Sequence, residues 1–149
     1  MDSETFWNLV GLVGGYPPSD EVSSFAGLEA ALMDLDRGEI LSFEDKLAEC
    51  LYVLDRRSFA DVQTIDTGRA QSNDSFLYNR CAVVVAGEVA YNEVLSSVRS
   101  FQDFTHSHVP SSEGLLYVAQ KAYERAVGEP WQHNSPHDYE TGSNEEGWT

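Results

Sequence analysis

Positive charge is scarce in this sequence. Among its 149 residues, nine Lys or Arg face 25 Asp or Glu, a formal net charge of -16. Nucleic-acid backbones are gripped by clustered cations, so such a chain is a poor candidate for general phosphate binding. Cysteine is scarce too: Cys50 and Cys81 are the only two. Each sits in an apolar run, which excludes a disulfide scaffold and reads as a small buried side chain. The longest purely apolar stretch, Ala82 to Gly87, is far too short to cross a bilayer. The opening Met1-Asp2-Ser3-Glu4 has neither a basic segment nor a following apolar one, so no secretory leader is expected and the cytoplasm is the default location.

What is present is ordinary globular material, 42% hydrophobic and 23% charged. One core suffices for a chain of this length. Ser3 is a candidate N-cap for a first helix carrying Phe6, Trp7, Val10 and Val13, stopped by Gly14-Gly15-Tyr16-Pro17-Pro18. The clearest periodicity runs from Arg37 to Leu54. There Ile40, Phe43, Leu47, Cys50, Leu51 and Leu54 recur at steps of three and four, the mark of an amphipathic helix. Phe59, Val62 and Ile65 suggest a short helix ending near Gly68. Phe76 to Val85 suits a buried strand as well as a buried helix by periodicity alone. Val89 to Val98 reads as another helix, and Leu115 to Ala126 as the last, with Ser112 as a cap and Gly128 and Pro130 as stops.

These segments predict an all-α protein, a compact bundle of five to seven helices in a single domain over residues 1–130. Residues 131–149 carry acids and no Lys or Arg, lack periodicity, and are expected to form a mobile, disordered acidic tail dispensable for folding. Trp131 is the one tail side chain expected to fold back onto the body.

The densest polar cluster beside an apolar run is Gly68 to Arg80. On a helix beginning near Ser75, Arg80 falls on the stripe of Phe76, Val83 and Val84, so its guanidinium should be buried and met by a carboxylate, with Asp74 and Asp66 nearest in sequence. A functional reading makes Ser72, Asp74, Tyr78 and Arg80 the lining of a polar pocket that holds an anionic group or moves a proton. The plainer reading makes Asp74 or Ser75 an N-cap and Arg80 half of a structural ion pair.

The stretch Ser72-Asn73-Asp74-Ser75-Phe76-Leu77-Tyr78-Asn79-Arg80, followed by Gly87, resembles the central motif of the bacterial domain-of-unknown-function family 4240. That motif reads Ser-Asp-Asp-Gly-Phe-Asp-Tyr-Phe-Arg-Gly-Trp-Leu-Ile, with a Gly shortly after. Ser72, Asp74, Phe76, Tyr78, Arg80 and Gly87 match it. Phe6-Trp7, Leu115-Leu116-Tyr117-Val118-Ala119 and Ala122-Tyr123-Glu124 fit in the same order, so the resemblance covers Ser3 to Pro130. It implies an all-helical fold, and hence a helix for Phe76 to Val85, and it brings no activity. Asn73 stands in place of an acid, Asn79 of an aromatic and Ala82 of the tryptophan, so a site built on paired acids at 73 and 74 would be altered in this chain.

His106-Ser107-His108 has a spacing found in metal sites but lacks further ligands nearby in sequence, and Pro136 keeps His133 and His137 off one helix; no metal or other cofactor is expected. Arg56, Arg57 and Arg69 form a small basic group whose plain role is to offset neighbouring acids. Two functions remain. One is an acidic protein-binding or accessory module of inhibitor or immunity type, with a basic protein partner. The other is a small-molecule binder or enzyme with its pocket at Asp74, Tyr78 and Arg80.

Overall fold

The computed structural model describes residues 1–149 and contains helices and no strands. Nine α-helices follow one another: α1 Ser3–Val10, α2 Ala26–Met33, α3 Arg37–Leu54, α4 Arg57–Ala60, α5 Asn73–Val85, α6 Glu88–Ser96, α7 Val98–Phe101, α8 Val118–Val127 and α9 Glu145–Trp148. Three of them, α4, α7 and α9, are single turns of four residues. Short 3₁₀ turns at Gly11–Val13, Ser23–Phe25, Gln102–Phe104 and Glu113–Tyr117 join the longer helices.

Local chemistry sets most of the boundaries. Asp36 and Glu39 form a reciprocal capping box at the start of α3, with Asp36 Oδ1 accepting from the Glu39 amide at 2.8 Å. Asp2 caps α1 through the Thr5 amide at 2.7 Å, so the cap lies one residue earlier than Ser3. Ser72 caps α5 through the Ser75 amide at 3.1 Å, three residues before the start the polar pattern suggested. Gly128, at φ 77°, turns the chain out of α8 in the left-handed conformation that glycine adopts without a Cβ clash.

The central helix is α3, which packs against α5 on one side and α8 on the other, while α2 lies along α8 and α6 along α5. Ile40, Phe43, Leu47, Leu51 and Leu54 of α3 are wholly buried, as the periodicity requires. They meet Phe6 and Val10 of α1, Leu28 and Leu32 of α2, Phe76, Val83 and Val84 of α5, and Ala119 and Ala122 of α8 in one continuous core. Phe76 to Val85 is a helix with apolar residues on most of its circumference, and for that reason periodicity could not separate it from a strand.

The C-terminal segment is not a loose tail. It runs back across the body, and Trp131 meets Tyr123 edge-on at 5.4 Å. His133 Nε2 lies 2.6 Å from Asp45 Oδ1, and the indole of Trp148 packs edge-on to Phe76 at 6.3 Å. The expectation of a mobile tail fails because the segment is held by main-chain amides and scattered aromatics, neither of which leaves a periodic apolar stripe. No helix is long and apolar enough to cross a membrane.

Candidate functional site

The helix α5 has two faces with different work. Phe76, Leu77, Arg80, Cys81, Val83 and Val84 point inward and are buried. Arg80 is fully buried, as its spacing demanded, but neither Asp74 nor Asp66 meets it. Its guanidinium donates to the Leu51 carbonyl at 3.0 Å and to Thr141 Oγ1 at 3.3 Å, and lies over the Phe76 ring at 4.5 Å. Six residues at about 100° each put Asp74 roughly 120° around the helix from Arg80. Asp66 is occupied elsewhere, accepting from the Ser107 amide and hydroxyl, both at 3.0 Å. Burial holds the Arg80 pKa below its ordinary value, and the largest opposing influence is the negative charge of Asp55.

Asp55 is the C-cap residue of α3. It is fully buried and is the knot of the C-terminal segment. Its carboxylate accepts from the amides of Gly142 at 3.1 Å and Asn144 at 3.0 Å, and from Trp148 Nε1 at 2.8 Å. Gly147 makes the approach possible, since a Cβ there would come within 2.7 Å of the Asp55 carbonyl oxygen. Thr141 links the knot to α5 by accepting from Arg80 and donating to the Asn73 carbonyl at 2.8 Å. The legible sign of this arrangement was the presence of glycine and tryptophan in an otherwise polar segment.

A second buried acid, Glu44 of α3, is 7% exposed, and its Oε2 has no hydrogen-bond partner. Desolvation raises its pKa from 4.5 to about 7; Asp45 adds to the rise and His133 opposes it. The two thiols are buried and unpaired. Burial pushes Cys50 up to about 11 and Cys81 up to about 12, which makes both poor nucleophiles.

The other face of α5 borders a cleft of about 250 Å³. Ser75, Tyr78, Asn79 and Ala82 form one wall, and Tyr16 and Phe104, whose rings are 5.2 Å apart, belong to its surround. Thr64 and the chain from Thr105 to Ser112 supply most of the rest, including His106 and Ser112. Ser112 is 2% exposed and its hydroxyl has no partner; it does not cap the 3₁₀ turn that follows it. Glu21 and Ser111 border this cleft and also a larger neighbouring one of about 430 Å³, which is lined by Glu29, Glu113, Tyr117, Lys121 and Arg125 among others. Tyr78 is raised to about 12, first by desolvation and then by Glu113 and Asp74. Glu113 also accepts from the Tyr117 hydroxyl at 2.9 Å.

The four candidate residues are therefore separated. Ser72 is the N-cap, Asp74 is exposed in the first turn, Tyr78 faces the cleft, and Arg80 lies about 200° around the helix from Tyr78, inside the core. Asp74, Tyr78 and Arg80 do not share a pocket. His106 borders the cleft, whereas His108 sits 3.9 Å from Asp66. No three His, Cys, Asp or Glu side chains gather as metal ligands.

The fold and this motif helix define an all-helical protein whose polar signature is divided between a cap, a cleft wall and a buried cation. Residues 1–125 match the model of the family described as Protein of unknown function (DUF4240), and the chain belongs to that family. The residues that hold Asp55 lie beyond the matched region. No curated protein and no solved structure is detectably similar to the chain.

Proposed function

We propose that this chain is a protein-binding or accessory module, of the inhibitor or immunity kind, whose acidic exterior takes a basic protein partner. The observation that carries the reading is how the charges are distributed. Of 25 carboxylates only Glu44 and Asp55 are buried, so nearly the whole acidic complement faces outward. Of the nine cations Arg80 is lost to the core, and Arg37, Arg57 and Arg125 are engaged with Glu129, Asp61 and Glu29. A surface of this kind steers a cationic partner and repels nucleic acid. Two buried free thiols suit a reducing compartment such as the cytoplasm.

The alternative, a small-molecule binder or enzyme built on Asp74, Tyr78 and Arg80, draws less support. The Arg80 guanidinium is committed to the Leu51 carbonyl, Thr141 and the Phe76 ring. The test is an array of peptides matched in length and apolar content but rich in Lys and Arg, neutral, or rich in acids, probed with the full chain at low and moderate salt. Retention of the basic set alone, weakening with salt, supports the module. Equal retention of the neutral set sinks it.

A further inference from the structure

We infer that the cleft beside α5 is an anchor site for an arginine side chain of the basic partner, a step that rests on the basic-partner reading above. Three independent observations converge on it. The first is electrostatic. The cleft has no Lys or Arg in its lining and has Glu21 at its border. Tyrosines on two sides sense negative surroundings: Tyr16 is raised by burial and then by Asp66 and Asp103, Tyr78 by desolvation and then by Glu113 and Asp74. An anionic ligand would be repelled from such a place, and a cation is drawn in.

The second observation is unspent hydrogen-bonding capacity. Ser112 is nearly fully buried at the cleft and its hydroxyl is unpartnered, which in a native protein calls for an explanation. Asn79 donates through Nδ2 to Gln71 at 2.8 Å, which fixes its amide and leaves Oδ1 as an acceptor. Glu21 uses one oxygen on the Ser111 amide at 3.3 Å and keeps the other. A serine hydroxyl, an amide oxygen and a carboxylate oxygen are acceptors of the kind that the five-donor guanidinium fork requires.

The third is shape. Tyr16, Tyr78 and Phe104 surround the cleft with aromatic rings, and a planar cation stacks on such faces. At about 250 Å³ the space falls below the range of roughly 300–1,000 Å³ typical of drug-sized ligands. It suits one long side chain. The adjoining cleft, reached past Glu21 and Ser111, offers a path for the flanking peptide; Glu113 lies on its border, while Glu29 is already paired with Arg125 and Lys121 stands beside them.

The experiment uses the full chain, isotopically labelled, titrated with N-acetyl-arginine amide and with N-acetyl-citrulline amide, its neutral isostere. The arginine probe should shift amides of residues 75–82 and 104–112 saturably, and citrulline should bind at least about tenfold more weakly. Glu21→Gln, at an exposed position, should weaken the arginine probe several-fold while leaving the thermal melt unchanged. Asn79→Leu should weaken the arginine probe as well, with a lowered melt because the donor to Gln71 is lost. Equal binding of citrulline, or shifts scattered over the acidic surface instead of the cleft, overturns the inference. If basic peptides are retained on the array but the arginine probe leaves the cleft unmoved, the cleft assignment falls and the module stands; if neither binds, both fall.

Discussion

Replacing Glu44 with glutamine isolates the free energy stored in one unpaired acid. In the folded chain this carboxyl keeps its proton up to about pH 7, because Oε2 lies in the interior without a donor to stabilise the anion. In the unfolded chain it ionises near its ordinary 4.5. Between those two values the folded state binds a proton that the unfolded state has released, so unfolding loses it and stability falls as pH rises. The contribution is fully present below about pH 4.5, declines through the interval, and is gone above about pH 7. With each tenfold change in proton activity worth about 1.4 kcal/mol, the whole interval amounts to about 3 kcal/mol. Glutamine has nearly the shape of the protonated acid and no charge to bury. The difference in unfolding free energy between Glu44→Gln and the parent should therefore shift by about 3 kcal/mol in favour of the variant from pH 4.5 to pH 8. Urea unfolding followed by tryptophan fluorescence at a series of pH values measures it, with Asp45→Asn as a control for the neighbouring His133 pair. A difference that stays constant with pH would refute the buried, unpaired state of Glu44.

A chain ending at Gln132 should lose about 3–5 kcal/mol, because the Asp55 carboxylate would lose every tail donor. For a chain of this size that is a fall in melting temperature of roughly 10 °C, readable by circular dichroism; an unchanged melt would mean that the segment contributes nothing to the fold. Arg80→Ala should cost about 3–5 kcal/mol by leaving Asp55 without its balancing charge and the Leu51 carbonyl without a donor. Arg80→Lys should recover only part of that in the same denaturant assay, since an ammonium cannot bond Leu51 and Thr141 while lying flat on Phe76. Full recovery by lysine would show that charge alone matters there.

Features encoded by local spacing were legible in the sequence, and features made by closure between distant segments were not. The α3 stripe from Ile40 to Leu54 and the burial of Arg80 both follow from steps of three and four residues. The partners of Arg80 do not, because Leu51 and Thr141 lie 29 and 61 residues away along the chain. The C-terminal segment misled for a related reason. Its hold on the body is a set of donors converging on Asp55, and polar composition resembles disorder whether or not a buried acceptor waits elsewhere. In the cleft, Tyr78 stood out at once. Glu21, His106 and Ser112 come from loops that only the packing of α2, α5 and α8 brings to the same border.

The last residues of the chain act toward the body as a tethered ligand does toward its receptor. The receptor site is Asp55 with Arg80 behind it, and the ligand is the stretch from Thr141 to Trp148, delivered by the segment that leaves α8 at Gly128. Tethering sets its effective concentration at about the millimolar level, so a weak interface is kept nearly saturated without needing high affinity. The same peptide supplied separately would have to approach that concentration to replace it. Any lengthening of the connection between Gly128 and Thr141 would dilute the ligand and loosen the latch by degrees, without touching a single contact in the site.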